Sequence, residues 1–124
     1  MIFISSPYSS PLAELQRDRY NKVTEFTILM LAAGYQVFSP ITYCVPMATV
    51  AKLPQNAAHW ERFNIEFLRH SEAMFLLHLP GWDQSKGVQV ELKIAKALGI
   101  PVVHFNERFE EIKQDIPGEA TPRK

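Results

Sequence analysis

The densest chemistry in the chain sits in "LPGWDQSKGVQVE", residues 79–91, where Ser85, Gly87 and Glu91 follow an apolar run and a Pro-Gly turn. Asp83 or Ser85 is suited to cap a helix that starts here, because a short polar side chain can accept from the orphan backbone N–H groups of a first turn. Gly87 leaves the backbone open to a ligand, and Glu91, four residues on, falls on the same helix face. A carboxylate near the positive end of a helix is expected to stay ionised, beside free N–H groups and Ser hydroxyls able to hold an anion. That combination points to chemistry on a sugar phosphate. The plainer alternative is a turn shaped by Pro80, Gly81 and Gly87, followed by a solvated helix residue.

The segments that must position these groups are legible as alternating patterns. Short apolar runs recur at 2–5 ("IFIS"), 35–38 ("YQVF"), 73–79 ("AMFLLHL") and 101–105 ("PVVHF"). They lack polar alternation, which suits strands buried on both faces. Between the first two runs, Leu12, Leu15, Val23, Phe26, Met30 and Ala33 form one apolar stripe, predicting a helix over 12–33 that Pro11 starts. Gly34 and Gly99 each stand between a helix and the next strand, where a left-handed cap is common. Further helices are predicted over 57–70, with Trp60, Phe63, Phe67 and Asn64 on one side, and over 86–98. Residues 39–56 carry Pro40, Pro46 and Pro54 and are expected to form a long loop acting as a lid or binding wall. Residues 107–114 are expected to form a short last helix with a solvated, sign-alternating face.

Strands alternating with helices imply right-handed crossovers and a parallel sheet covered on both faces: a flavodoxin-like, Rossmann-like α/β three-layer sandwich of four or five strands. With 124 residues the chain suits a single domain, spanning 1–114, followed by a tail at 115–124. Ligands of such sheets bind beyond the carboxyl ends of the strands. That rule brings together "SSPYSS", "SPITY" and "HLPGWDQSKG", three Ser- and Pro-rich loops.

Composition narrows the partners. Thirteen basic and thirteen acidic side chains cancel, so no overall field draws in a nucleic-acid polymer or an anionic membrane surface. No apolar run approaches the ~20 residues that span a bilayer. The lone Cys44 and an N-terminus without a charged leader predict a cytoplasmic protein. Small ligands or protein partners fit better. Apolar helix faces wider than a four-stranded sheet can cover, as in "FTILMLAAG", add the expectation of a homo-oligomer.

"FISSPYSS", "FSPIT" and "SKGVQVELKIAKALGIPV" together resemble the nucleoside 2-deoxyribosyltransferase superfamily over residues 2–105, with its Ser-x-Gly-x-x-x-Glu helix. The Pro-Gly-Trp-x-x-Ser-x-Gly-Val-x-x-Glu run is similar to a small bacterial and phage branch of unknown function. The resemblance implies binding of a nucleoside or deoxynucleoside 5′-monophosphate, with hydrolysis or deoxyribosyl transfer at its N-glycosidic bond. Glu91 would attack the anomeric carbon, since a carboxylate stabilises oxocarbenium character and can form a glycosyl ester. Ser85 and Gly87 would face the 5′ end of the sugar, Tyr8 the sugar or base, and Ser5, Ser6 and Ser9 a phosphate. Ser39, Asn64 and Trp82 complete the implied substrate-binding set. Asn64 stands where the superfamily carries an acid, and an amide can orient a base without protonating it. Asp83 is then the candidate general acid.

Other chemistries lack their signatures. His59, His70, His78, His104 and Cys44 show no metal-ligand spacing, so neither a metal nor another cofactor is expected. Trp60, on an apolar helix face, reads as core. No phosphate-binding P-loop, nucleophile elbow or dinucleotide fingerprint occurs. A receiver domain would need an Asp at the end of the third strand, where His78, Leu79 and Pro80 stand. The first alternative is a non-catalytic nucleotide-binding or sensor module on the same fold; a flavin carrier on that fold would show itself by yellow colour.

Overall fold

A computed structural model of the chain describes residues 1–52 and 57–113, with the backbone alone at 57–59. Its elements run β1 (Ile2–Ser5), α1 (Ala13–Ala32), β2 (Val37–Phe38), α2 (Pro40–Ala51), α3 (Ala57–Arg69), β3 (Ala73–Leu77), α4 (Lys86–Leu98) and β4 (Val102–Phe105). The four strands form one parallel sheet in the order β2-β1-β3-β4. The fold is therefore the flavodoxin-like α/β sandwich expected, with the sheet at four strands.

The unbroken apolar runs follow from burial on both faces. Ile2 and Ile4 of β1 and Phe75 and Leu77 of β3 pack with Val23, Phe26 and Met30 of α1. Their neighbours Phe3, Met74 and Leu76 point the other way, onto Leu68 of α3 and Val88 and Ala95 of α4. Two cores thus sandwich one sheet. The α1 stripe is narrower than its sequence pattern: Leu12 is 66% exposed and Ala33 is also exposed, leaving the helix to start at Ala13. Gly34 and Gly99 adopt the positive φ values of 98° and 72° that turn each helix into the next strand.

Two expectations are corrected. Much of the long loop foreseen at 39–56 is α2. Ser39 Oγ caps it by accepting from Thr42 N at 3.2 Å, and Pro40 occupies the first turn, where no N–H is needed. Pro46 lies inside this helix at a local cost, offset by the burial of Cys44 and Ala48. Residues 53–56 and the tail at 115–124 lie outside the described residues. The last helix does not form over 107–113. Asn106 Oδ1 accepts from Arg108 N at 2.9 Å and Glu110 N at 3.0 Å, competing with helical bonding. Ile112 N then donates to His104 O at 2.8 Å, so the chain folds back along β4.

The chain leaves β1 toward β2 on one side, then returns past β1 to β3 on the other. The topological switch point therefore lies between the ends of β1 and β3, where a ligand crevice opens. Among the described residues, no helix is long and apolar enough to cross a membrane.

The sandwich is centred on Phe26, whose ring lies 4.9 Å from Phe105 and 5.4 Å from Phe109. Phe26→Ala is expected to lower stability by about 3–5 kcal/mol, read as a lower urea midpoint at unchanged slope.

Candidate active site

At the switch point a cavity of about 440 Å³ opens between the β1 loop, α2, α3 and the start of α4. Ser6, Tyr8, Ser9, Asn64, Ser85, Gly87 and Glu91 all line it, so seven of the sequence-derived candidates converge. One wall is polar, made by the β1 loop and the first turns of α4. The other is apolar, made by Pro40, Ile41, Cys44, Val45 and Ala48 of α2 with Trp60 of α3. The cavity can hold a molecule with one hydroxyl-rich and one flat, apolar end.

Glu91 is the sixth residue of α4, facing back over Gly87. Ser5, the buried last residue of β1, donates its Oγ–H to Glu91 Oε1 at 2.5 Å. Withdrawal from water pushes the Glu91 pKa up to about 7, against the opposing pull of the Ser5 hydroxyl. The helix end was expected to keep this carboxyl ionised. Its field fades within the first turn, Glu91 lies beyond that turn, and desolvation prevails. At neutral pH the group is therefore divided between carboxylate and acid. Ser85 Oγ caps α4 by accepting from Val88 N at 3.2 Å. Ser6 Oγ and Asn64 Oδ1 are buried without a hydrogen-bond partner among the described residues, and both residues line the cavity. Burial raises the Tyr8 pKa, so its phenol is neutral.

Four expected residues lie elsewhere. Ser5 reaches the site through Glu91 and is not part of the cavity lining. Ser39 spends its hydroxyl on the α2 cap and on Thr42 Oγ1 at 3.1 Å. Trp82 stacks on His78 with ring centroids 3.8 Å apart and packs on the α3–α4 core, outside the lining. Asp83 is exposed in a one-turn 3₁₀ helix and does not line the cavity. His78 Nε2 meets His104 Nδ1 at 2.8 Å, and burial first, then His104, lowers its pKa to about 4, so this imidazole is neutral.

Several contributors were missed. Trp60 belongs to the cavity rather than to the core alone, and Lys86 joins it from the first turn of α4. The α2 wall had a signal: Ile41, Cys44, Val45 and Ala48 follow helical spacing behind the prolines. Arg19 had none, standing in a polar stretch of α1. It is only 8% exposed and pairs with no carboxylate among the described residues. Its Nη1 donates to Ser9 O at 2.8 Å and its Nη2 to Pro80 O at 2.9 Å, tying the β1 loop to the turn after β3. Gly81 has φ +89°, and a Cβ there would lie 2.6 Å from Arg19 Nη2, so this turn takes glycine on two counts.

Two outcomes test these assignments. Arg19→Met leaves two carbonyls without a charged donor and is expected to cost about 2–3 kcal/mol in urea unfolding. Arg19→Lys should recover only part, because an ammonium lacks the planar fork that reaches both loops. For Glu91, the folded pKa of about 7 exceeds its ordinary 4.5, so between these values the folded chain holds a proton that the unfolded chain has lost. Stability from this group is therefore full below the lower value and is lost as pH rises through the upper one. Glu91→Gln removes the penalty and should gain about 3 kcal/mol relative to the native protein between pH 4 and pH 8, measured by urea melts.

Comparison with known proteins bears on the fold and the family. Comparison with curated proteins gives no match. Among solved structures, the fold is similar to that of the 2-deoxyribosyltransferase from the psychrotolerant bacterium Bacillus psychrosaccharolyticus, a biocatalyst for synthesis of antiviral and antitumoral nucleosides. The TM-score is 0.57 at 21% identity, covering 93% of this chain and 75% of that one, a likeness of fold. A family model described as "Domain of unknown function (DUF1937)" matches residues 1–107, nearly the whole described chain. With that match and a parallel sheet that opens a carboxylate-bearing cavity at its switch point, the chain belongs to the DUF1937 family.

Proposed function

We propose that the protein binds a nucleoside or deoxynucleoside 5′-monophosphate and cleaves its N-glycosidic bond, passing the sugar to water or to a second base. The observation that carries this reading is the placement of Glu91: a half-buried carboxyl, held by Ser5, lining a cavity with one polar and one apolar wall. The base is assigned to the apolar wall of α2 and Trp60, and the sugar to the neighbourhood of Glu91 and Ser6. The fold shared with a 2-deoxyribosyltransferase supports the same substrate class.

In the proposed step, a Glu91 carboxylate oxygen bonds to C1′ as the C1′–N bond breaks and its electron pair leaves with the base. Ser5 holds the second function of the carboxyl, its Oγ–H orienting the attacking group. The neutral phenol of Tyr8 and the amide of Asn64, which both line the cavity, are assigned to hydrogen-bond the base as charge builds on it. Water or another base then attacks C1′ of the glycosyl ester, and the C1′–O bond breaks to release Glu91 as a carboxylate. The proton lost by the attacking group goes to the base that departed. The pKa of about 7 leaves part of Glu91 ionised at neutral pH and already stripped of much of its hydration, which suits a nucleophile.

The second reading, a nucleotide-binding or sensor module without turnover, draws on one observation. Asp83 lies outside the cavity and Asn64 stands where the resemblance implies an acid, so among the described residues Glu91 is the one carboxyl lining the first cavity. We also carry homo-oligomerisation in a cytoplasmic setting as part of the proposal; the 60% exposed Ile28 and 52% exposed Leu31 of α1 support an interface.

Incubation with a panel of deoxynucleoside 5′-monophosphates and chromatography for free base separates the readings. Base release is expected, with kcat/KM rising about tenfold per pH unit to a plateau above 7 as Glu91 ionises. Glu91→Gln should cut turnover by roughly a thousandfold or more with little change in binding. Thermal stabilisation by a monophosphate with no base released would instead establish the sensor.

A further inference from the structure

A second cavity, of about 230 Å³, adjoins the first between α3 and α4. Asn64, Lys86, Gly87 and Glu91 line both, so the two form one cleft with these four residues at its neck. This glycine has no conformational reason to be there. It lies in the first turn of α4 without a positive φ, and a Cβ would meet nothing closer than Ser85 Oγ at 3.9 Å. Alanine would be the better helix former by up to about 1 kcal/mol. The absent side chain keeps the neck open, and what gains from it is a ligand that runs from one cavity into the other.

The chemistry of the second cavity selects what enters. Glu61 and Asn64 Oδ1 are both acceptors; Glu61 has no ion pair and Asn64 Oδ1 no hydrogen-bond partner among the described residues. They call for a group rich in O–H donors and repel a terminal phosphate, which offers only charged oxygens. Lys86, likewise without an ion pair among the described residues, lies at the neck and suits a phosphate passing through. Ile65 and Val90 supply apolar walls for the faces of a ring. We infer that the second cavity binds a sugar joined to the nucleotide through a 5′-diphosphate, so that the preferred ligand is a nucleoside diphosphate sugar or dinucleotide rather than a monophosphate. This rests on the nucleotide reading above, and its test is a binding measurement separate from turnover.

Calorimetry on the native protein compares AMP, ADP and ADP-ribose, and likewise UMP, UDP and UDP-glucose. In at least one series the sugar-linked diphosphate should bind tenfold or more tightly than the diphosphate alone. Val90→Phe, which fills the second cavity, should erase that gain while leaving monophosphate affinity within twofold; Ile65→Phe fills it from the facing helix if the first variant does not fold. Equal affinity of diphosphate and sugar-linked diphosphate in the native protein overturns the inference, as does a gain that survives the filling substitution. Monophosphate binding with no gain from the sugar leaves the nucleotide reading standing and removes only the second site. Absence of binding by every nucleotide in both series removes the two together, whereas binding without base release removes catalysis alone.

Discussion

A single hydrogen bond, from Ser5 at the end of β1 to Glu91 on α4, joins residues 86 positions apart and organises the site. It exists because β1 and β3 are parallel neighbours in register, Ser5 beside Leu76, with α4 packed over them. Ser5 is fully committed to the fold, while Glu91 opens onto the cavity. The hydroxyl opposes the raised pKa only in part, so the protein holds a carboxyl that is more stable protonated than a surface Glu would be. Such a carboxyl lowers stability at neutral pH, and groups perturbed by burial in a cleft are over-represented at functional sites.

The loops around that bond are held by different means. Arg19 bridges two of them by donating to backbone carbonyls rather than to an acid, which sets loop positions without adding a carboxylate that would compete for the cation. Gly81 makes room for it. On the far side, α2 builds a wall from a segment rich in proline, Ser39 and Pro40 starting the helix where capping and a missing N–H are both tolerated. By contrast, Ser6 Oγ and Asn64 Oδ1, on two residues that line the cleft, are left without hydrogen bonds among the described residues. Buried polar groups of this kind need a partner to offset their desolvation, and a molecule bound in the cleft would supply one.

Much of this arrangement was legible along the chain, and the reasons for the exceptions are specific. The four strands stood out because both of their faces are buried, and the helix-to-strand joints because Gly34 and Gly99 take φ values that other residues resist. The Ser85, Gly87 and Glu91 spacing placed all three at one helix face. The α2 helix was hidden because proline disfavours helices on average, and position within the helix is what matters. Asn106 drew the chain into a turn through its own side chain, although the charges after it keep a helical rhythm. The two tryptophans exchanged expected places: Trp82 found an imidazole to stack on, and Trp60 a cavity to line.

By itself, then, the sequence determined the parallel α/β plan, the helix faces and the line of Ser85, Gly87 and Glu91, because periodicity, caps and turns act within a few residues of chain. Tertiary structure alone decided the proton on Glu91, the burial of Arg19, the release of Trp82 and Asp83 from the cavity, and the second chamber beyond Gly87. Those properties depend on how much water and which distant groups surround a side chain, and such surroundings come into being only when segments remote in sequence pack together.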